Sequence, residues 1–441
     1  MRKFLLLLLM VGLVLLCSAR EVDVWKTGTA TINYQSNWTV SVDDPGATKQ
    51  LVLTANLLAN NSDQRIISLT ANRPYSLVEK DGELKIIMNL SKVNGTELLS
   101  INATVLVSYD NRGITTAPAF PYPPGLDMPA DTNLTAPTPE IIAKAAEVTA
   151  GSGNGLEAIA RLEEFVHNHV AYNLAYADTM LSAADVFTVG EGTCDEYSHL
   201  FISMAKSVGI PARFVSGYVH SGDSWEPHAW TEAYVPGYGW LPVDPTYNEM
   251  LNLDATHLRV GSGKDQSEIA ERVMASGVRE VNIEIRKNYS LDLVSSANFA
   301  PISKITMEAA SAGQDENLSF NVENLRDSAA FLPMRLTVQE DMGVQGRNET
   351  MLYIGPRSTV QKDYVLTLPQ LEQNMVYTFP VQVQTLGGNF EDAFKRSTIS
   401  GGNGQEPPAK NPPPPEQPKP PQCALGFSLI GIAMLFAFAR R

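Results

Sequence analysis

The sequence predicts an α+β core flanked on both sides by β-rich regions. In the middle of the chain, at 139–208, apolar residues recur at spacings of three and four, which is typical of amphipathic helices. The segments on either side alternate apolar with polar residues or are rich in β-branched residues, as strands are. A hydrophobic content of 44% and a charged content of 18% are those of a folded protein. A chain of 441 residues has room for about three domains.

The N-terminus has the features of a secretory signal peptide over residues 1–19. A basic start precedes an apolar stretch at 4–16 and a small-residue exit that ends at Ala19. We expect cleavage after Ala19. Lipoprotein-type modification of Cys17 is the alternative, which Leu16 disfavours because it is not a small residue. Nine Asn-x-Ser/Thr sequons also favour export and predict a glycoprotein: Asn37, Asn60, Asn89, Asn94, Asn102, Asn133, Asn288, Asn317 and Asn348.

Residues 20–117 are predicted to form an N-terminal β-rich domain of the sandwich type. Its strands are expected at 50–57, 83–90 and 98–109, with Asp-Gly and Asn-Gly turns between them. A proline-rich linker follows at 118–138. The pattern then changes from period two to the helical period, which predicts a domain boundary here.

Residues 139–260 are predicted to form the α+β core. Helices are expected at 139–150, 156–170 and 193–208, and strands at 212–219, 228–235 and 240–243. Gly209 and Pro211 mark the end of the third helix, because glycine favours a helix C-terminus and proline prevents its continuation.

The rest of the chain is predicted to be a second β-sandwich, a stalk and a membrane or sorting segment. The sandwich spans 261–400, with strands at 318–322, 334–339 and 377–385, and the proline-rich stalk spans 401–422. The apolar segment at 423–441 ends in Arg440 and Arg441, as expected of a single membrane span with the body of the protein on the extracellular side. A processed tail is the alternative, because the segment resembles the C-terminal sorting signals of archaeal surface proteins. The net charge of −15, without a Lys/Arg cluster, argues against nucleic acid as a partner.

Cys194 is the candidate nucleophile, and His228 and Asp244 are its candidate partners. Thr193 and Glu196 form a capping-box pattern, which places Cys194 at the first position of a helix, where the helix dipole favours a thiolate. His228 begins one predicted strand and Asp244 ends the next, so the hairpin between them brings both side chains together. A thiol, a base and a carboxylate that orients the base are the groups needed for cysteine acyl transfer.

Four sequence blocks resemble the transglutaminase-like core, and they occur in its order. The blocks are Gly-Thr-Cys at 192–194, Gly-Ile-Pro-Ala-Arg-Phe-Val-Ser-Gly-Tyr at 209–218, His-Ala-Trp-Thr-Glu at 228–232 and Gly-Trp-Leu-Pro-Val-Asp-Pro-Thr at 239–246. The resemblance covers about 142–248 and implies a papain-like fold. It also implies that Cys194 is the nucleophile, that His228 is the general base and acid, and that Asp244 orients the imidazole.

The resemblance implies an enzyme that acts on protein or peptide amide bonds through a thioester. The Cys194 N–H and one further donor, for which Tyr172 is a candidate, would hold the oxyanion. We expect hydrolysis rather than cross-linking, because water is abundant and no lysine-binding tunnel is evident. The alternative is a non-catalytic surface scaffold or adhesion protein that keeps the fold. No cofactor is implied, and no Cys/His cluster or EF-hand pattern predicts a metal.

The remaining polar and aromatic residues of the core are expected to be structural. Arg213 and Glu232 are predicted to form an ion pair, and Trp230 is predicted to pack beneath the hairpin. His199 lies five residues after Cys194, so the two side chains lie on different faces of the helix. A zinc site at His167 and His169 is not expected, because neighbours two apart on a helix diverge. Trp240 is assigned to the core with Trp230.

Overall fold

The computed structural model describes residues 24–44, 48–80, 83–90, 95–109, 113–222, 224–269, 272–277, 282–312 and 315–398. The predicted signal peptide, stalk and C-terminal segment lie outside these residues. Within them, no helix is both long and apolar enough to cross a bilayer.

The described residues are rich in strands and contain four α-helices, all within the core. The helices are α1 (Pro139–Thr149), α2 (Gly155–His169), α3 (Ala183–Val189) and α4 (Cys194–Ser207). The strands are β1 (Thr27–Val42), β2 (Thr48–Asn56), β3 (Gln64–Ala71), β4 (Tyr75–Lys80), β5 (Glu83–Leu90), β6 (Thr96–Ser108), β7 (Ala171–Tyr172), β8 (Glu191–Gly192), β9 (Ala212–Ser221), β10 (Ser224–Val235), β11 (Gly239–Asp244), β12 (Glu249–Met250), β13 (His257–Gly263), β14 (Arg272–Gly277), β15 (Ile283–Asn298), β16 (Ser303–Ala312), β17 (Asp315–Asn324), β18 (Ala330–Thr337), β19 (Gly343–Val344), β20 (Glu349–Ile354), β21 (Thr359–Thr367), β22 (Val376–Thr385) and β23 (Gly388–Ser397).

The N-terminal β-sandwich is built from two four-stranded sheets that share one buried core. Their strand orders are β15-β1-β6-β3 and β14-β2-β5-β4. Ile32 and Val105 from the first sheet and Leu53 and Ile86 from the second belong to the same buried cluster. Alternation along β1 buries every second residue, which is the strand period that the sequence pattern predicts elsewhere in this region.

Two strands of this sandwich come from residues that follow the core in the sequence. β14 pairs with β2, and β15 pairs with nearly the full length of β1. The sequence analysis assigned these residues, 272–298, to the C-terminal domain at 261–400. The structure differs because a strand finds its partner by long-range pairing, which leaves no mark in the local pattern.

The core sheet lies between the helices and the N-terminal sandwich. Its strand order is β12-β11-β10-β9-β13. Phe201 of α4 and Leu241 of β11 belong to the helical core, whereas Trp230 and Leu258 belong to the core of the N-terminal sandwich. The sheet therefore has an apolar layer on each face, and both layers fix the strands that carry His228 and Asp244.

The C-terminal sandwich has the sheet orders β16-β17-β21-β19 and β20-β18-β22-β23, and it also contacts the core. Phe331 and Met351 are buried in the helical core cluster. Thr350 donates a hydrogen bond to Glu164 of α2 at 2.8 Å. The second sandwich therefore supports the helical layer from the side.

The three predicted helices are present, and one short helix was not predicted. Helices at 139–150, 156–170 and 193–208 correspond to α1, α2 and α4 within one residue at each end. Helix α3 has only seven residues, too few to display a helical period, although Ser182 and Asp185 form a capping box at its start. The expected strand at 83–90 matches β5.

Candidate active site

Cys194 is the first residue of α4, and the buried Glu196 fixes the chain there. The Glu196 carboxylate accepts hydrogen bonds from the Thr193 N–H at 2.8 Å and from the Thr193 hydroxyl at 2.7 Å. A Cβ on Gly192 would lie 2.4 Å from the Glu196 Cβ, so this position needs glycine. The half-buried Cys194 thiol therefore lies at the positive end of a well-fixed helix, which favours its ionised form.

His228 and Asp244 form the buried pair that the hairpin predicts. Strands β10 and β11 run antiparallel, and His228 Nε2 lies 2.6 Å from Asp244 Oδ2. The other carboxylate oxygen, Oδ1, accepts the backbone N–H groups of Thr246 at 2.9 Å and Tyr247 at 3.3 Å. Burial by itself would raise the pKa of Asp244, but His228 and then His257 hold that pKa well below its ordinary value. Asp244 is therefore a carboxylate under all ordinary conditions.

A second histidine, His257, also bonds Asp244, and the sequence analysis did not identify it. His257 begins β13, and its Nε2 lies 3.0 Å from Asp244 Oδ2. Its Nδ1 lies 2.9 Å from the backbone oxygen of Asp254. No motif surrounds His257 in the sequence. Its position arises because β13 pairs with β9 at the far side of the sheet, and that pairing has no local signal.

Several buried carboxyl groups surround these residues. Burial raises the pKa of Glu249 to about 8 and that of Asp254 to about 6. Glu163 of α2 is fully buried, and burial together with the neighbouring carboxylates raises its pKa well above the ordinary value. Glu163 and Glu249 are therefore harder to ionise than exposed carboxyl groups, in part because Asp244 is already negative nearby.

Two aromatic rings contact the His228 imidazole. The Trp230 ring stacks on the His228 ring at a centroid distance of 6.0 Å, and Tyr247 lies 5.0 Å from the same ring. Gly217 is paired with His228 across the sheet. A Cβ on Gly217 would lie 2.1 Å from the Leu258 carbonyl oxygen and 2.7 Å from Trp230, so glycine lets the strands and the indole approach. These contacts leave the His228 imidazole few alternative orientations.

The residues assigned a structural role have the expected kinds of contact. Arg213 Nε lies 2.7 Å from Glu232 Oε2, and the Arg213 guanidinium lies 4.3 Å from the centroid of Trp240. Glu232 also bonds Arg259, which extends the ion pair into a buried network. Trp230 is buried, as predicted, whereas Trp240 is only half-buried, which differs from its assignment to the core.

Three other histidines of the core bond backbone or amide oxygens. His199 is buried, with Nδ1 at 3.0 Å from the Leu181 oxygen and Nε2 at 2.5 Å from the Gln266 side chain. His167 and His169 bond the backbone oxygens of Pro245 and Phe187. Tyr172, the candidate oxyanion donor, is 39% exposed, and its role stays a prediction.

The three residues His228, Asp244 and His257 offer nitrogen and oxygen atoms within 4.8 Å of one another. Two histidines and a carboxylate are a donor set that transition metals accept. The contacts in this structure, however, have hydrogen-bond lengths between the groups themselves, and a metal would have to displace both Nε2 protons. We therefore describe them as a hydrogen-bonded set.

Comparison with known proteins identifies the middle of the chain. Residues 142–245 match the model of the transglutaminase-like superfamily. A protein-glutamine gamma-glutamyltransferase from Pseudomonas aeruginosa is 36% identical over 103 residues, covering 20% of this chain and 15% of that protein. An uncharacterized protein from Mycobacterium leprae is 33% identical over 97 residues, covering 20% of this chain and 33% of that one. The chain thus spans a third or less of the length of these relatives.

Among solved structures, the comparison finds a proposed cysteine protease from Cytophaga hutchinsonii. It is 18% identical, with a TM-score of 0.44, and the match covers 63% of this chain and 94% of that one. The match to the superfamily model covers the segment that contains Cys194, His228 and Asp244. Residues 142–245 of this chain are a transglutaminase-like superfamily domain.

Proposed function

We propose that this protein is a cysteine-dependent enzyme that acts on protein or peptide amides through a thioester, with Cys194, His228 and Asp244 as its catalytic residues. The observation that carries the proposal is the buried His228–Asp244 hydrogen bond of 2.6 Å within a transglutaminase-like domain. Helix α4, which begins at Cys194, packs against β10, which carries His228. A nucleophile and an oriented base on two packed elements are the arrangement that acyl transfer needs.

The proposed mechanism begins with proton transfer from Cys194 to His228. Nε2 of His228 bonds Asp244, so Nδ1 is the nitrogen assigned to the thiol proton. The sulfur attacks the amide carbonyl, and backbone N–H groups at the start of α4 stabilise the oxyanion. The imidazolium then protonates the leaving amine, and the C–N bond breaks to give a thioester. Water, deprotonated by His228, attacks the thioester and restores the thiol.

We propose hydrolysis as the main outcome and cross-linking as the second candidate. The second candidate rests on the Pseudomonas aeruginosa relative, whose name specifies transfer from glutamine side chains. Both outcomes share the thioester and differ in whether water or an amine resolves it. A glutamine-containing peptide therefore serves as a substrate for either.

The experiment is an assay of peptide amides with two readouts. Ammonia or a new carboxyl terminus reports hydrolysis, and incorporation of a labelled primary amine reports cross-linking. Cys194→Ala should lose turnover by at least about a thousandfold while its fold is kept. Ser203→Ala, in the same helix, is the matched control. If turnover survives in Cys194→Ala, the nucleophile assignment is wrong.

The non-catalytic scaffold is the alternative from a different class. A scaffold would keep partner binding and stability in Cys194→Ala, and the wild type would turn over no amide. Nothing in the geometry of the His228–Asp244 pair is required for such a role, which is why we favour the enzyme.

We further propose that the protein is an exported glycoprotein tethered to the outer face of a membrane by its C-terminal segment. Of the nine sequon asparagines, those at positions 60, 89, 102, 133, 288, 317 and 348 are exposed, Asn37 is half-exposed, and Asn94 lies outside the described residues. Exposed acceptors fit modification of the folded surface. Mass spectrometry of the protein purified from membranes of its source should find glycans at these sites and a mature N-terminus at Arg20. An unmodified chain in the soluble fraction would contradict both.

A further inference from the structure

His257 has an environment that the proposed mechanism does not use. It is fully buried, and its two ring nitrogens lie within hydrogen-bond distance of two oxygens on separate elements. Nε2 contacts the carboxylate of Asp244 at 3.0 Å, and Nδ1 contacts the backbone carbonyl of Asp254 at 2.9 Å. Trp230 lies edge-on to the ring at 5.4 Å and holds its plane.

Neither of these oxygens can donate a hydrogen bond. A backbone carbonyl only accepts, and the Asp244 carboxylate already accepts from His228 and from two backbone N–H groups. A neutral imidazole has one donor and one acceptor nitrogen, so it would place a lone pair against an oxygen lone pair at one of the two contacts. Only the doubly protonated ring donates at both nitrogens.

We propose that His257 is an imidazolium in the folded protein and a positioning residue for the reaction proposed above: through the shared Oδ2 it fixes Asp244 and offsets part of the negative charge that Asp244 presents to His228. This inference rests on the proposed function only for its catalytic consequence. The charge on the ring follows from the two hydrogen bonds alone.

The charged and titratable groups around His257 support a positive ring. Asp244 on β11, Glu249 on β12 and Asp254 in the preceding loop are carboxyl groups that favour it. His228 on β10 faces the same carboxylate, with ring centroids 5.6 Å apart. Two tyrosines are also close: the Tyr247 and His257 ring centroids are 5.9 Å apart, and the Tyr109 hydroxyl donates a hydrogen bond to the His257 carbonyl oxygen. Burial opposes the charge, but the Asp244 hydrogen bond and then these carboxylates raise the pKa of His257 to about 9.

A positive charge on His257 makes His228 easier to deprotonate. A positive ring on the far side of Asp244 weakens the stabilisation that Asp244 gives to a protonated His228. His228 therefore loses its proton at a lower pH than it would beside an isolated carboxylate. In a cysteine–histidine enzyme, loss of the histidine proton ends activity as the pH rises. His257 therefore influences the pH at which kcat/KM declines on the alkaline side, the alkaline limb of the pH profile.

The charge is tested directly by NMR of protein labelled with ¹⁵N in its six histidines. Long-range ¹H–¹⁵N correlations distinguish a doubly protonated ring from either neutral tautomer. At pH 7 the His257 ring should be doubly protonated in the wild type and in Cys194→Ala, and its signals should be absent in His257→Gln. If His257→Gln does not fold, variants of the other five histidines assign the ring by exclusion. A neutral His257 ring at pH 7 overturns the proposal.

The catalytic consequence is tested by the pH profile of kcat/KM. His257→Gln keeps a neutral donor for Asp244 but removes the charge, and should move the alkaline limb up by about one pH unit. His257→Phe removes charge and donor together, and should lower kcat further. His199→Gln removes another buried histidine, and should leave the limb in place. A His257→Gln variant that lowers kcat without moving the limb contradicts the charge effect.

The two tests separate the two proposals. If no variant of the protein turns over an amide, the proposed function fails, and the NMR result still decides the charge of His257. If turnover depends on Cys194 but His257 is a neutral ring, the function stands and the inference about His257 fails.

Discussion

At the scale of single residues, the site depends on one carboxylate that holds two histidines. Asp244 accepts hydrogen bonds at Oδ2 from His228 and His257 and at Oδ1 from two backbone N–H groups. Four donors fix the carboxylate more tightly than one histidine could. A fixed carboxylate gives His228 one tautomer and one orientation, which a general base requires.

Asp244→Asn should therefore lower kcat/KM by about a thousandfold, because the amide can present its N–H to His228 and favour the wrong tautomer. The measurement is turnover of a peptide amide at several pH values. Asp265→Asn, which changes another buried carboxylate just after the end of β13, is the matched control. Activity within tenfold of wild type in Asp244→Asn contradicts the assigned role.

Gly217 is the residue whose backbone makes room for the site. Gly217→Ala should destabilise the protein by about 2 kcal/mol or more, because the new methyl group would meet the Leu258 carbonyl oxygen and the Trp230 ring. Urea unfolding followed by tryptophan fluorescence measures the change. Gly388→Ala is the control, since no atom lies within 4 Å of its Cβ position. Equal stabilities of the two variants would show that the sheet can adjust.

At the scale of the element, the start of α4 differs from an ordinary helix start. Glu196 is buried and accepts the Thr193 N–H and hydroxyl, whereas Asp185 caps α3 at an exposed position. A buried donor left without its acceptor costs more than an exposed one, which water can satisfy. The cap at Cys194 thus stabilises the core as well as the helix.

Removal of the two caps tests this difference. Glu196→Ala should lower the free energy of unfolding by about 2 kcal/mol, and Asp185→Ala by about 1 kcal/mol or less. Both are measured by urea unfolding at one pH. A larger loss in Asp185→Ala than in Glu196→Ala would mean that the buried cap contributes nothing beyond its helix.

At the scale of the whole molecule, the core is enclosed by two sandwiches, and one of them is completed by strands from beyond the core. The local patterns predict α1, α2, α4, β5 and the hairpin with His228 and Asp244, because each depends on neighbouring residues. They do not predict the partners of β14 and β15 or the position of His257. Those depend on pairing between strands distant in sequence, for which period and composition carry no information.

The protonation of His257 couples the fold to pH. Its pKa is raised in the folded protein from the ordinary 6.5 to about 9, so the folded state binds more protons than the unfolded state between these values. The resulting stability is complete below about pH 6.5 and is lost as the pH rises through about 9. Urea unfolding from pH 6 to 10 should show a decline that is smaller in His257→Gln. If the free energy of unfolding declines equally in both proteins, His257 is not the source of the pH dependence.

The central claim is that Cys194 is a thiolate activated by His228, and the pH dependence of its alkylation by iodoacetamide tests it most directly. The measurement compares the wild type with His228→Ala, both confirmed to be folded. We predict rapid labelling of the wild type well below about pH 8.5, the usual pKa of a thiol, and loss of this advantage in the variant. Labelling that rises only near the pKa of an ordinary thiol, and equally in both proteins, would contradict the account.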